Sequence, residues 1–82
     1  MKVRVLFFSL LRDISGAEEI DFPISSEEIT VESLLDQLFA KYDGLKEWND
    51  KLLIAVNCEY ANRSDTIKAG DEVAIMPPVQ GG

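Results

Sequence analysis

An α+β fold, one mixed sheet covered on one face by one main helix, is what this sequence predicts. Three observations carry that reading. Alternating apolar residues mark strands at both ends of the chain, at Val3, Val5 and Phe7 and again at Val73 and Ile75. A single wide apolar stripe marks a helix between Val31 and Tyr42. The elements run strand, strand, helix, strand, short strand, strand, and one amphipathic helix suffices to cover one face of a sheet of this size.

Met1–Ser9 reads as the first strand. Val3, Val5 and Phe7 share one face; Lys2, Arg4, Leu6 and Phe8 share the other, which its two leading charges place toward solvent. Phe8 is then an apolar residue on an open face. Leu10–Gly16 is a connection with room for one helical turn, closed by Gly16. In Glu19–Ile24, Ile20, Phe22 and Ile24 alternate with Glu19, Asp21 and Pro23. Proline cannot donate to a ladder, so this is an edge strand, paired with the first as a hairpin with a long loop. Ser25–Ile29 is polar and turn-like. Thr30 caps a helix running to about Tyr42, with Glu32 and Ser33 in its first turn. Val31, Leu34, Leu35, Leu38, Phe39 and Tyr42 form its stripe, read as core packing, and Lys41 and Gly44 mark its stop.

Leu45–Asp50 is a short irregular or helical link carrying Trp48, read as a packed cap on the helix end. Leu52–Asn57 is a nearly continuous apolar strand, and Cys58–Asp65 a polar turn with short flanking pairs. Lys68–Asp71 is a further turn. Glu72–Met76 is the last strand, ended by Pro77-Pro78, neither of which can extend a ladder. Residues 1–76 thus form one domain and residues 77–82 an extended tail. This is the β-grasp order of ubiquitin-like domains. There the first and last strands lie parallel at the centre, which brings Phe8 and Met76 together on the face away from the helix, with Tyr60 nearby.

Composition narrows the function. The chain has 82 residues, net charge −7 and no histidine. Eight Lys+Arg against fifteen Asp+Glu offer no basic face for phosphates, which argues against nucleic-acid binding. The surplus acid suits solubility, or docking on a basic partner. Lacking histidine, the chain lacks the usual general base, zinc ligand and nucleophile-activating dyads, so no self-sufficient enzyme is expected. Cys58 is the one cysteine, too few for a disulfide within the chain or a cysteine-ligated cluster. No basic residue stands beside it, and it is read as inert. Arg12 is read as structural, paired with a local acid such as Asp13. Apolar runs such as Val5-Leu6-Phe7-Phe8 are far short of a membrane span. Ser9, Arg12 and Asp13 follow that run closely, which does not suit an export signal; a cytoplasmic protein is expected, with no membrane partner.

The tail, Pro77-Pro78-Val79-Gln80-Gly81-Gly82, is the informative segment. Two final glycines arise by chance at roughly half a per cent. Pro-Pro stiffens the exit from the sheet and points a thin thread away from the body. Such a thread suits a terminal carboxylate that must enter a partner's active site and meet the α-phosphate of ATP. Side chains on the last two residues would crowd that slot. The resulting acyl-adenylate is an electrophile for sulfur or nitrogen, with catalysis left to the partner.

End to end, the sequence resembles the small, sulfur-carrier subunit family of molybdopterin synthase. The resemblance rests on Val5-Leu6-Phe7-Phe8 with Arg12 following, Ala55-Val56-Asn57, Gly70-Asp71-Glu72-Val73-Ala74 and, most specifically, the Pro-Pro-Val-x-Gly-Gly ending. It implies that an E1-like adenylyltransferase activates the Gly82 carboxylate, consuming ATP, and that a sulfurtransferase system converts it to a thiocarboxylate. No cofactor would be bound by the carrier itself. The loaded carrier would dock on the large catalytic subunit, as a heterotetramer, with Gly81 and Gly82 threaded into that subunit's active site. There it would donate sulfur to a cyclic pyranopterin monophosphate precursor. Phe8, Tyr60, Met76, Pro77, Pro78, Val79 and Gln80 are the expected partner-binding residues. Two related readings share the diglycine pattern. Thiazole-forming sulfur carriers of thiamin synthesis usually run shorter and lack Pro-Pro before the tail, and ubiquitin-like modifiers are conjugated through the terminal glycine to lysines.

Overall fold

Strict alternation forces Val3, Val5 and Phe7 to one side of the first strand, and all three are buried. In the computed structural model, which describes residues 1–78, that strand is β1, Lys2–Phe7. Helix α1 (Leu10–Ser15) and strand β2 (Glu19–Pro23) follow, then β3 (Glu28–Thr30) and helix α2 (Val31–Lys41). A 3-10 helix over Lys46–Lys51 leads into β4 (Leu53–Val56), β5 (Glu59–Tyr60), β6 (Thr66–Lys68) and β7 (Glu72–Met76). Five strands form one sheet in the order β2-β1-β7-β4-β5, parallel between β1 and β7 and antiparallel elsewhere. The mixed sheet, the single long helix and the parallel central pair are those the sequence predicts.

One register setting decides the molecule's polarity. Phe7 is 2% exposed and Phe8 is 44% exposed, so the core side of β1 is the Val3–Val5–Phe7 side. Val73 and Ile75 of β7 and Ile54 of β4 join them, facing Val31, Leu34, Leu35 and Leu38 of α2. Val56 and Phe39 are half-buried and pack at the margin of this core. The Tyr42 ring meets Phe7 edge-on at 5.6 Å, a favoured aromatic geometry. Trp48 also packs against the core. Thr30 caps α2 as expected: its hydroxyl accepts from the Ser33 N–H at 3.1 Å.

The middle of the chain departs from the sequence reading. Ser25–Ile29 was expected to be turn only, yet Glu28–Thr30 is a strand. It pairs with Thr66–Lys68 as a separate two-stranded sheet in which Ile29 faces Ile67. Ile67 is fully buried, as is Leu45. A three-residue strand contains one apolar position and shows no period, so alternation cannot reveal it. α1 is longer than one turn and drives Leu11 into the core; Gly16, at φ 78°, ends it.

Candidate functional site

The register dictates what the uncovered sheet face displays. Opposite the helix lie Lys2, Arg4 and Leu6 of β1, Ala74 and Met76 of β7, Leu53 and Ala55 of β4, and Tyr60 of β5. The face is divided. At one end the charges pair across strands, Lys2 with Asp21 at 3.5 Å and Arg4 with Glu19 at 3.6 Å. At the other end it is apolar. Phe8 continues β1 beyond its last ladder residue: its N–H reaches Ile75 O at 3.2 Å, which sets it beside Met76.

Phe8, Ala55, Cys58, Tyr60, Ala74 and Met76 line a shallow groove of about 270 Å³ in that apolar half. Tyr60 is 77% exposed. Ala55 lies opposite both Tyr60 and Ala74, so two alanines make a low floor between larger rims. The hollow is open and has no charged side chain in its lining. Phe8, Tyr60 and Met76, expected from the sequence, are therefore brought together. Ala55, Ala74 and Cys58 were missed. Alternation along β4 and β7 holds the signal for the two alanines, but a small residue draws no notice until its neighbours are known.

Two polar anchors hold the rims. Asn57 accepts from the Glu72 N–H at 3.0 Å and donates through its amide to Asp71 Oδ1 at 3.1 Å. Asp71 Oδ2 also accepts from the Lys68 N–H at 2.8 Å. The β4–β5 turn is thereby clipped to the β6–β7 turn, fixing the hairpin that carries Tyr60. On the opposite side of Phe8, Arg12 pairs with Glu18 at 3.1 Å. That corrects the expected Asp13: adjacent helical residues point apart, whereas Glu18 returns across the loop. Leu6, Phe7, Arg12, Glu18 and Glu19 line a second hollow there of about 280 Å³, so Phe8 stands as a ridge between a groove without charged side chains and one that carries an ion pair.

Cys58 is exposed and lines the apolar groove. Among the described residues no group of three or more His, Cys, Asp or Glu is arranged to hold a metal ion. No helix there is long and apolar enough to cross a membrane. β7 ends at Met76, which lines the groove, and the half-buried Pro77 and Pro78 follow it outside the strand. Val79, Gln80, Gly81 and Gly82, which carry the expected chemistry, lie outside the described residues.

Known proteins resemble this chain in sequence and fold. A family model described as the ThiS family matches residues 5–82. The curated molybdopterin synthase sulfur carrier subunit of Drosophila melanogaster is 41% identical over 85 residues, spanning 100% of this chain and 92% of that protein. Among solved structures, the putative molybdopterin converting factor subunit 1 from Pyrococcus furiosus superposes with a TM-score of 0.86 at 28% identity. That match covers 96% of this chain and 99% of the other. A chain of the complex of subunits 1 and 2 of molybdopterin-converting factor from Helicobacter pylori matches over 100% of both chains, with a TM-score of 0.66 and 31% identity.

Proposed function

The chain belongs to the ThiS family, and from that premise we propose that it is the sulfur-carrier subunit of a molybdopterin synthase. The observation that carries the reading is the apolar groove of Phe8, Tyr60 and Met76 at the root of a Pro-Pro-Val-Gln-Gly-Gly tail. A body that a partner can grip stands directly beside a terminus that can reach into it. The related Helicobacter pylori chain comes from a complex of subunits 1 and 2, which supports a large catalytic subunit as the partner.

In the proposed cycle the Gly82 carboxylate attacks the α-phosphate of ATP on an E1-like adenylyltransferase and expels pyrophosphate. Hydrosulfide from the sulfur donor then adds to the acyl carbon and expels AMP, which leaves a thiocarboxylate with no change of oxidation state. Activation as adenylate gives the acyl carbon a good leaving group; the resting carboxylate has none. The loaded carrier docks on the large subunit through the groove, two carriers on a heterotetramer. The sulfur is transferred to a cyclic pyranopterin monophosphate, and a second carrier supplies the second dithiolene sulfur. The carrier contributes position and a reactive end, while acid–base groups and ATP binding belong to its partners.

The test is intact-mass measurement after incubation with ATP, the activating enzyme and a sulfur donor. The protein should gain the difference between sulfur and oxygen, localised to the C-terminal peptide. Removing Gly82, or adding one residue beyond it, should abolish transfer with almost no loss of thermal stability. A displacement of about 1 Å costs on the order of a hundredfold in rate. A whole sulfur atom gained at Cys58, twice that mass difference, with Gly82 untouched would make the chain a persulfide carrier instead. Gly82 found joined to lysines would place it among protein modifiers.

A further inference from the structure

Ser9, between Phe8 and Leu10, has φ 57° and ψ −133°, a region that residues with a side chain avoid. The Leu11 N–H returns to Phe8 O at 3.1 Å. Ser9 therefore occupies the second position of a four-residue turn, where a positive φ is the mark of a type II′ turn and glycine is the usual occupant. The Ser9 hydroxyl makes no cap hydrogen bond that would offset the strain. What holds the residue is its surroundings. On one side Phe8 is tied to Ile75 O. On the other, Arg12 donates its N–H to Ser9 O at 3.1 Å, its guanidinium approaches the same oxygen at 3.5 Å, and Leu11 is buried in the core.

The strain is also located where it can matter. Among the described residues the other non-glycine positions with positive φ are Asn57 at 50° and Cys58 at 71°. Both belong to the turn on the far side of the apolar groove, where Cys58 lines the wall. The pair at Asn57 and Cys58 is the usual positive-φ geometry of a two-residue hairpin loop, which asparagine suits, so the strained position is Ser9, while Gly16, Gly44 and Gly70 occupy the other positive-φ sites. At Ser9, where the side chain makes no cap hydrogen bond, strain that persists beside a surface points to a demand made by that surface.

We propose that Ser9 is a positioning residue for partner docking. With its neighbours anchored, a serine there has far fewer backbone conformations open to it than glycine would, so the turn holds Phe8 upright between the two hollows and keeps Arg12 beside it. Glycine would fit the turn without strain, but it would also leave Phe8 free to lean, and that freedom would be lost again on binding. The inference rests on the docking reading of the groove.

A chain of this length is accessible to stepwise synthesis and ligation, which allows a decisive series: native, Ser9→Gly, Ser9→D-Ser and Phe8→Ala. A D-residue at Ser9 takes these angles as the mirror image of a relaxed extended L-residue, so it is both unstrained and stiff. Affinity for the purified large synthase subunit is measured by titration calorimetry, and the thermal midpoint by circular dichroism. Ser9→Gly should melt no lower than native yet dock about three- to tenfold more weakly, the scale of re-ordering one large side chain on binding. Ser9→D-Ser should melt higher than native and recover native affinity. Equal affinity of the glycine and native chains overturns the proposal, as does weaker docking by glycine that D-Ser fails to restore. Normal docking by Phe8→Ala refutes the groove itself, a failure separate from that of Ser9.

Discussion

Phe8 shows how far a single residue can be read. Period-two alternation puts it on the open face, and nothing inside the domain explains a phenylalanine there; its exposure of 44% bears this out. Phe8→Ala or Met76→Ala should weaken docking by about 1–3 kcal/mol, measured by calorimetry, with the thermal midpoint nearly unchanged. Thr30→Ala should do the reverse. Losing the cap on Ser33 costs about 1 kcal/mol, which lowers the midpoint of a domain this size by roughly 4–8 °C, with docking unaffected. Arg12 marks the limit of such reading. Its acid, Glu18, lies beyond α1 and the turn at Gly16, and local spacing favoured Asp13. A pair closed through a loop leaves no sequence period behind.

Elements were legible in proportion to their length. β1, α2 and β7 each repeat their apolar spacing several times, and their assigned faces proved correct. β3 and β6 carry one buried-side residue apiece, Ile29 and Ile67; the first falls in the stretch read as turn and the second between two turns, in residues given no element. That small sheet is not ornamental. Ile67→Ala should destabilise the domain by about 2–5 kcal/mol, visible in urea titration as a lowered midpoint with an unchanged slope. The groove floor invites the opposite experiment. Ala74→Leu places a larger side chain on the outer face, between Ala55 and Leu6. It should fill the hollow and block docking in a chain that melts within a few degrees of native. The two alanines were invisible as a site because a floor exists only once three strands are aligned.

At the scale of the molecule, charge comes first. All three arginines of the described residues are paired with an acid, Arg4 with Glu19, Arg12 with Glu18 and Arg63 with Glu32. The net charge of −7 is therefore carried largely by unpaired carboxylates. Association with a basic partner should slow as salt rises while dissociation holds steady, which stopped-flow mixing at several ionic strengths would record. The parallel pairing of β1 with β7 has another consequence, for synthesis. β7 bonds to β1 on one side and β4 on the other, so a strand made after all the others of the described residues occupies the middle of the sheet. A ribosome that stops before Glu72 releases a chain whose hairpin and helix have nothing to close against, because distant contacts must form before they stabilise. Truncation after Asp71 should accordingly give a circular dichroism spectrum without cooperative melting. Incomplete chains would then be unfolded ones, open to proteolysis and unable to occupy a partner's docking surface without a tail to offer it.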